Sequence, residues 1–231
     1  MQVDSPARIR NLAITGHNDT GKTTLASALL FTSGAAPRFC KIEDGNTVTD
    51  FDPEEVERGI SIGLGVCHLP WRRHKVNLLD SPGYGIFFSE TRAALRVADA
   101  AIVCVSAVAG AEVNTEKVWE AASELELPVV LHLNKMDRDR ADLGRLKAYR
   151  FERDGSGKGK EVPIPSELAT DAAEARTRLV EAVAEADEHL LEKFFEEGTL
   201  EAADLEAGLK TAIASRKIFP VTVGSSLHLV G

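Results

Sequence analysis

The sequence predicts an α/β fold: a mainly parallel six-stranded sheet with helices on both faces, carrying an inserted α+β sub-domain. Three observations lead there. From Met1 to Arg140, short apolar runs alternate with segments of helical spacing, the pattern of strands joined by crossover helices. The charge then changes abruptly: positions 161–210 hold 4 basic and 14 acidic side chains, a net of −10, while the rest of the chain sums to +1. Finally, 231 residues are about one and a half times the usual domain length of roughly 150, enough for one core and a sizeable insert.

The apolar runs place strands at Asn11–Thr15, Ile62–Leu69, Lys75–Leu79, Ala100–Val105, Val129–Leu133 and Ile218–Val223. Between them, apolar residues recur every three or four positions in Lys22–Phe31, Phe88–Val97 and Thr115–Leu125, which predicts helices. A hairpin is expected from Lys147–Phe151 and Val162–Ile164 around a Gly- and Ser-containing tip at Glu152–Glu161. Asp171–Ala214 has a helical, acidic pattern broken at Gly198, with Thr199 as a fresh N-cap. The expected division is a core over 1–140, an insert over 141–216 and a return to the core over 217–231.

Composition excludes several classes. With 44% hydrophobic and 27% charged residues the chain is a folded globular protein. A net charge of −9 argues against non-specific grip on nucleic acid as the main activity, and leaves local contacts open. Cys40, Cys67 and Cys104 are odd in number and widely spaced, which fits neither a disulfide framework nor a zinc site. No apolar run reaches a membrane span and Met1–Arg10 has no signal-peptide core, so a soluble cytoplasmic protein is expected, with no membrane partner.

Gly16-His17-Asn18-Asp19-Thr20-Gly21-Lys22-Thr23 fits G-x-x-x-x-G-K-[ST] between an expected strand and an expected helix. Backbone N–H groups of such a loop wrap phosphate oxygens, the helix N-terminus adds partial positive charge, and Lys22 adds a full one. Thr23 is placed to ligate Mg²⁺, and Thr24 follows it on the phosphate side. Asn134-Lys135-Met136-Asp137, at the end of another strand, then selects the base. Asp137 can accept hydrogen bonds from guanine N1–H and its amine, whereas adenine would leave that carboxylate unpaired at high cost. Asn134 braces the loop and the Lys135 stem covers the ring. Asp80-Ser81-Pro82-Gly83 lies between these two motifs, at the end of a hydrophobic strand; Asp80 can hold Mg²⁺ through water and the Gly83 N–H can sense the γ-phosphate. Ser61 offers a second hydroxyl to the metal, and the turn Gly224-Ser225-Ser226 offers N–H groups to guanine O6. His132, inside an apolar strand, is expected to be a hydrogen-bonded core residue, and the remaining histidines form no metal spacing.

With these motifs in order, the chain resembles the G domain of a translational GTPase of the elongation factor G family, a P-loop NTPase fold. Arg10-Asn11, Asp44–Asp50 and Asp80–Tyr84 look closest to the divergent elongation-factor-G-like branch. The resemblance implies GTP/GDP and Mg²⁺ as ligands, a ribosome-associated switch that helps move tRNA and mRNA, a monomer, and no sequence-specific nucleic-acid contact. The acidic insert resembles the family's extra sub-domain; its charge reads most simply as a solvated helical face, with docking to a lysine-bearing ribosomal stalk protein as the functional alternative that the resemblance suggests. Switches are expected at about Arg38–Ile62 and Gly83–Phe88, ordered by the γ-phosphate. Lys22, Asp80, Gly83 and Tyr84 form the expected catalytic set.

Two residues depart from the family. Tyr84 stands where the family usually has the histidine that positions the attacking water, and it cannot become an imidazolium. Asn18 replaces the apolar residue that partners Ile60 in the family's hydrophobic gate. Besides a GTPase, two other readings therefore stand: a GTP-dependent binding module with little hydrolysis, and a ribosome-protection protein of the tetracycline-resistance type. The chain stops five residues after Ser226, so a fragment of a longer protein is expected, and the short distance from Asp137 to Lys147 suggests a deletion near Gly144–Leu146.

Overall fold

The computed structural model describes residues 5–136, 140–142, 147–151, 156 and 158–230. They form two compact units, one over residues 1–137 and 221–230, the other over 138–220.

In the first unit, β1 (Ile9–Gly16) runs parallel to β3 (His74–Asp80) on one side and to β4 (Ala100–Ser106) on the other. β5 (Val129–Asn134) and β9 (Val221–Val223) continue the parallel set, and β2 (Gly65–Trp71) closes the far edge antiparallel to β3, giving the order β2-β3-β1-β4-β5-β9. Side chains alternate across a strand with period two. One set, Leu12, Ile14, Leu78, Ile102 and Cys104, packs against Leu25, Ala26 and Leu30 of α1 (Lys22–Thr32). The other set includes the fully buried Ala13, Ala101 and Val103, and α3 (Phe88–Val97) and α4 (Val113–Glu124) bury Ala94, Leu95, Val118 and Ala122. Burying each Leu, Ile or Val contributes about 2 kcal/mol.

This sheet places every motif at one end. The loops that follow β1, β3, β4, β5 and β9 all leave the carboxyl ends of parallel strands, where open α/β sheets bind ligands.

Several boundaries differ from the sequence expectation, each for a local reason. The strand expected from Ile62 begins at Gly65, because the Ile62 and Gly63 amides donate to the Glu55 carboxylate (2.8 and 3.0 Å) instead of entering the ladder. A short helix not expected from periodicity, α2 (Pro53–Arg58), stands before it, started by Asp52 and Glu55 as a reciprocal capping box with Pro53 in the first turn. The last strand begins at Val221, since Pro220 has no N–H for a ladder.

The second unit has a three-stranded antiparallel sheet, β6 (Arg140–Asp142), β7 (Lys147–Phe151) and β8 (Gly159–Val162), and three helices, α5 (Ala169–Glu185), α6 (Glu188–Glu197) and α7 (Ala202–Ala214). β8 thus starts inside the expected hairpin tip and ends at Val162. The acidic stretch has two breaks: Gly198 ends α6 with φ 71°, and Asp187 breaks the chain earlier by capping the His189 and Leu190 amides. Glu201, not Thr199, is the N-cap of α7. Val180, Val183 and Ala184 of α5 pack with Leu190, Leu200 and Leu205, and Ile218, expected in the last strand, joins this cluster. The suspected deletion at Gly144–Leu146 lies outside the described residues.

Candidate functional site

A cavity of about 560 Å³ opens between the carboxyl-end loops of the first unit, within the usual range for a small-molecule site. Its floor is the loop between β1 and α1. Gly21, at φ 82°, is the N-cap of α1 and supplies no side chain to the first helical turn, so those amides face the cavity without a protein cap. Lys22 crosses underneath, 6% exposed, with its ammonium donating to the His17 carbonyl at 2.7 Å. Burial holds Lys22 below the usual lysine range, against the pull of Asp80. Gly83 closes the far wall. A Cβ there would stand 2.4 Å from the Lys22 Nζ and 2.6 Å from the Asn18 backbone, so the close approach of the two loops requires glycine.

Of the residues singled out from sequence, Asn18, Asp19, Gly21, Lys22, Thr23, Thr24, Ser61, Gly83, Tyr84, Asn134, Lys135 and Ser225 line this one cavity. His17, Thr20, Asp80, Gly224 and Ser226 stand behind it as supports. Asp137 lies outside the described residues. Ile42, Ile60, Leu227 and His228 also line the cavity.

Asn134 ties three loops together. Its Nδ2 donates to the Thr20 carbonyl (2.9 Å), and its Oδ1 accepts from the Ser226 amide (2.9 Å) and hydroxyl (3.0 Å). The Met136 amide donates to the Gly224 carbonyl at 2.8 Å, joining the same two segments by backbone. Lys135, at φ 65°, reaches back to Asp19 at 3.2 Å across the cavity mouth.

Beside Lys22 lies a cluster of oxygens. Thr23 Oγ1 and Ser61 Oγ are 3.2 Å apart, and Ser61 donates to Asp50 at 2.8 Å. Thr49 donates to Asp80 Oδ2 at 2.7 Å, whereas Asp80 Oδ1 is buried without a hydrogen-bond partner. Burial pushes the Asp80 carboxyl up to about 6, against the Thr49 and Thr23 hydroxyls and the Lys22 ammonium, and burial also raises Asp50. A hard divalent cation takes oxygen ligands, so Mg²⁺ would satisfy the orphaned Asp80 oxygen and draw on the two hydroxyls. The donor set fits it.

The arrangement of phosphate loop, oxygen cluster and base-side brace is that of a nucleotide switch, and comparison with known families agrees. The model of the Elongation factor Tu GTP binding domain matches residues 7–231. The chain belongs to that family. It is a translational GTPase G domain on an α/β fold with a mostly parallel six-stranded sheet. A crystal structure of a protein from Thermus thermophilus matches with a TM-score of 0.91 and 35% identity over 97% of this chain; the chain spans 38% of that protein's length.

Within the G domain, sequence reasoning missed one support, Asn114, and the contact that ties His17 to it. Asn114, in the first turn of α4, donates from Nδ2 to the Gly83 carbonyl at 2.8 Å and would also meet a Cβ at Gly85 at 3.3 Å, so its amide braces the chain on both sides of Tyr84. His17 joins it, with Nδ1 accepting from the Asn114 amide at 3.4 Å and Nε2 facing Glu112 at 3.4 Å. Neither contact has a sequence signature. Asp50 and Thr49 are visible in the sequence only as part of Asp44–Asp50, while the capping signature Asp52-Pro53-Glu54-Glu55, which fixes their segment, is a signal that could have found them. Among the described residues no group of three His, Cys, Asp or Glu side chains is placed to hold a metal by itself, and no helix is long and apolar enough to cross a membrane. His132 Nδ1 lies 3.0 Å from the Thr222 hydroxyl, within the sheet.

Proposed function

We propose that this G domain binds GTP with Mg²⁺, hydrolyses it, and serves as the switch of an elongation factor G-like translation factor that acts with the ribosome in translocation. The observation that carries the reading is the convergence of the buried Lys22, the uncapped first turn of α1 and the orphaned Asp80 oxygen on one cavity whose base-side end is braced by Asn134. Lys22 and the amides of Asn18–Thr23 hold the β- and γ-phosphates. Thr23, Ser61 and Asp80 hold Mg²⁺, directly or through water, and the metal when bound neutralises phosphate charge. Asp137 and Asn134 select guanine. The Gly83 amide meets the γ-phosphate, and Asn114 keeps it there. Tyr84 orients the attacking water from its hydroxyl.

Hydrolysis is the step this sequence has altered. Tyr84 is 39% exposed, and among the described residues no group hydrogen-bonds its hydroxyl to fix the water it would hold. That favours slow intrinsic turnover with binding intact, and a GTP-dependent binding module is the second reading. The cytoplasm is the compartment in which such a factor works. The acidic insert, as the docking surface for a ribosomal stalk protein, and a monomeric state complete the proposal.

Single-turnover GTP hydrolysis by the full-length protein, with and without ribosomes, tests the proposal. Ribosomes are expected to raise the rate by orders of magnitude. Tight GTP binding without any stimulation would overturn the enzyme reading and leave the binding module.

A further inference from the structure

The end of the sheet remote from the nucleotide cavity carries a feature that the G-domain chemistry does not use. β2 and β3 are joined by the two-residue turn Arg72-Arg73, with Trp71 paired to His74 across its base. Both arginines have positive φ, 41° and 68°. Two-residue turns of this hand select Asn-Gly, because a Cβ is strained there. Among the described residues this is the only adjacent pair of non-glycine residues at positive φ; Glu126 and Arg216 follow single helix ends, and Asp19 and Lys135 belong to the nucleotide cavity. A local rule broken in this way points to a functional position.

The turn is also basic and aromatic in an acidic chain. Trp71 is 57% exposed, and the Arg72 guanidinium lies 5.8 Å from the centre of its ring. Arg72 and Arg73 are exposed, whereas Lys75 is half-buried on the other face of the sheet and Arg10 on the neighbouring strand donates to the Ala7 and Ile9 carbonyls at 2.9 and 2.7 Å. Neither Arg72 nor Arg73 forms an ion pair with a described carboxylate, although six other Lys or Arg residues do. Asp99, just before β4, has its carboxylate engaged by the Asn11 amide at 2.7 Å. Exposed indole and guanidinium faces with unpaired cations beside them suit stacked bases and a phosphodiester backbone. An acidic peptide would use the cations and leave the indole idle.

We propose that the Trp71-Arg72-Arg73 turn is a second binding site of this protein, for a single-stranded polynucleotide segment, with an unstacked base on Trp71 and phosphates on the two arginines. The turn sits about 20 Å along β3 from Asp80 at ~3.3 Å per residue, so it can be occupied while nucleotide is bound.

The test uses the full-length protein, fluorescein-labelled oligo(U) and oligo(dT) 20-mers, and a poly-glutamate peptide of equal length. Arg72→Asn/Arg73→Gly gives the turn the residues its geometry prefers. It is expected to raise the melting temperature, leave GDP affinity unchanged, weaken oligonucleotide binding tenfold or more, and lower the salt slope by about 1.4, since each of the two single-strand phosphate contacts removed contributes roughly 0.7. Trp71→Ala is expected to weaken binding and to remove the quenching of tryptophan emission that stacking on Trp71 produces. Binding of either oligonucleotide that depends on both changes supports the site. Oligonucleotide affinity unaffected by the turn substitution, no binding at all by the parent protein, or equal affinity for poly-glutamate would overturn it.

Discussion

Asn134 is the residue whose removal should cost the domain most at a single point. Its three hydrogen bonds join the phosphate loop at Thr20 to the base-side turn at Ser226, and all three residues are buried. In Asn134→Ala the Thr20 carbonyl and the Ser226 amide lose their partners, while the Ser226 hydroxyl can turn elsewhere. A buried polar group left unpaired costs about 1–3 kcal/mol, so two of them give a stability loss of about 3 kcal/mol. Part of this loss returns as weaker binding, because the loops that hold phosphate and base no longer share a brace; a hundredfold rise in the GDP dissociation constant is expected. Asn134→Asp keeps the acceptor for Ser226 and sets a carboxylate against the Thr20 carbonyl, so it should lose affinity as well while retaining the Ser226 pair. Urea unfolding supplies the stability term and a fluorescent GDP analogue the affinity. The double-mutant cycle with Ser226→Ala isolates the hydroxyl. A loss in Asn134→Ala below about 0.5 kcal/mol, the floor for a single net hydrogen bond, with GDP bound within threefold of the parent, would leave the brace no energetic role and refute the reasoning.

Asp80 makes stability depend on pH in the nucleotide-free, metal-free domain. Its folded value of about 6 lies above the unfolded 3.8, so the folded state holds a proton more firmly; stability is gained as pH falls from 6 toward 4 and lost as it rises through 6, by an amount on the order of 3 kcal/mol. Thermal melts from pH 4 to 8 read this, and Asp80→Asn should flatten the profile; an identical profile would refute the assignment. Mg²⁺ needs the carboxylate, so the gain in GDP affinity on adding Mg²⁺ should shrink below pH 6. Gly83→Ala places a methyl 2.4 Å from the Lys22 ammonium and should weaken GTP at least tenfold with GDP less affected; equal losses would place Gly83 away from the γ-phosphate. Tyr84→His should raise single-turnover hydrolysis tenfold or more, within the usual reach of a positioned acid or base, and an unchanged rate would show that Tyr84 does not limit turnover. Asp137→Asn should move preference from GTP toward xanthosine triphosphate, measured by competition, and retained guanine selectivity would remove Asp137 from base recognition.

The parts of the site legible in the sequence are those in which the chemistry needs a fixed spacing. A phosphate loop must run from strand to helix within a few residues, so Gly16–Thr23 announces itself, as do Asp80–Gly83 and Asn134–Asp137 at strand ends. Parallel strands buried on both faces are near-continuous apolar runs, and β1, β3, β4 and β5 are visible for that reason. What stays hidden depends on contacts between distant segments. Asn114 is an ordinary first-turn residue until α4 brings it 2.8 Å from the Gly83 carbonyl, 31 positions away in sequence. Likewise Thr49 becomes a partner of Asp80 only when α2 turns its segment inward.

These hidden contacts bear on how a tyrosine can stand at position 84. The binding side of the cavity is cross-braced: Lys22 to His17, Asn134 to Thr20 and Ser226, Thr49 to Asp80. On the hydrolytic side the brace stops at the backbone. Asn114 grips the Gly83 carbonyl and abuts Gly85, while the Tyr84 side chain between them projects partly into solvent. A substitution at position 84 therefore leaves the packing of the loop intact and alters only what faces the water. On the proposed reading, binding and turnover are separable in this domain, with Asn114 supporting the first through the Gly83 amide and position 84 setting the second. Asn114→Ala should then weaken GTP relative to GDP, whereas Tyr84→Phe should leave both affinities unchanged and alter the hydrolysis rate alone. Coupled losses in Tyr84→Phe would show that the side chain holds the loop.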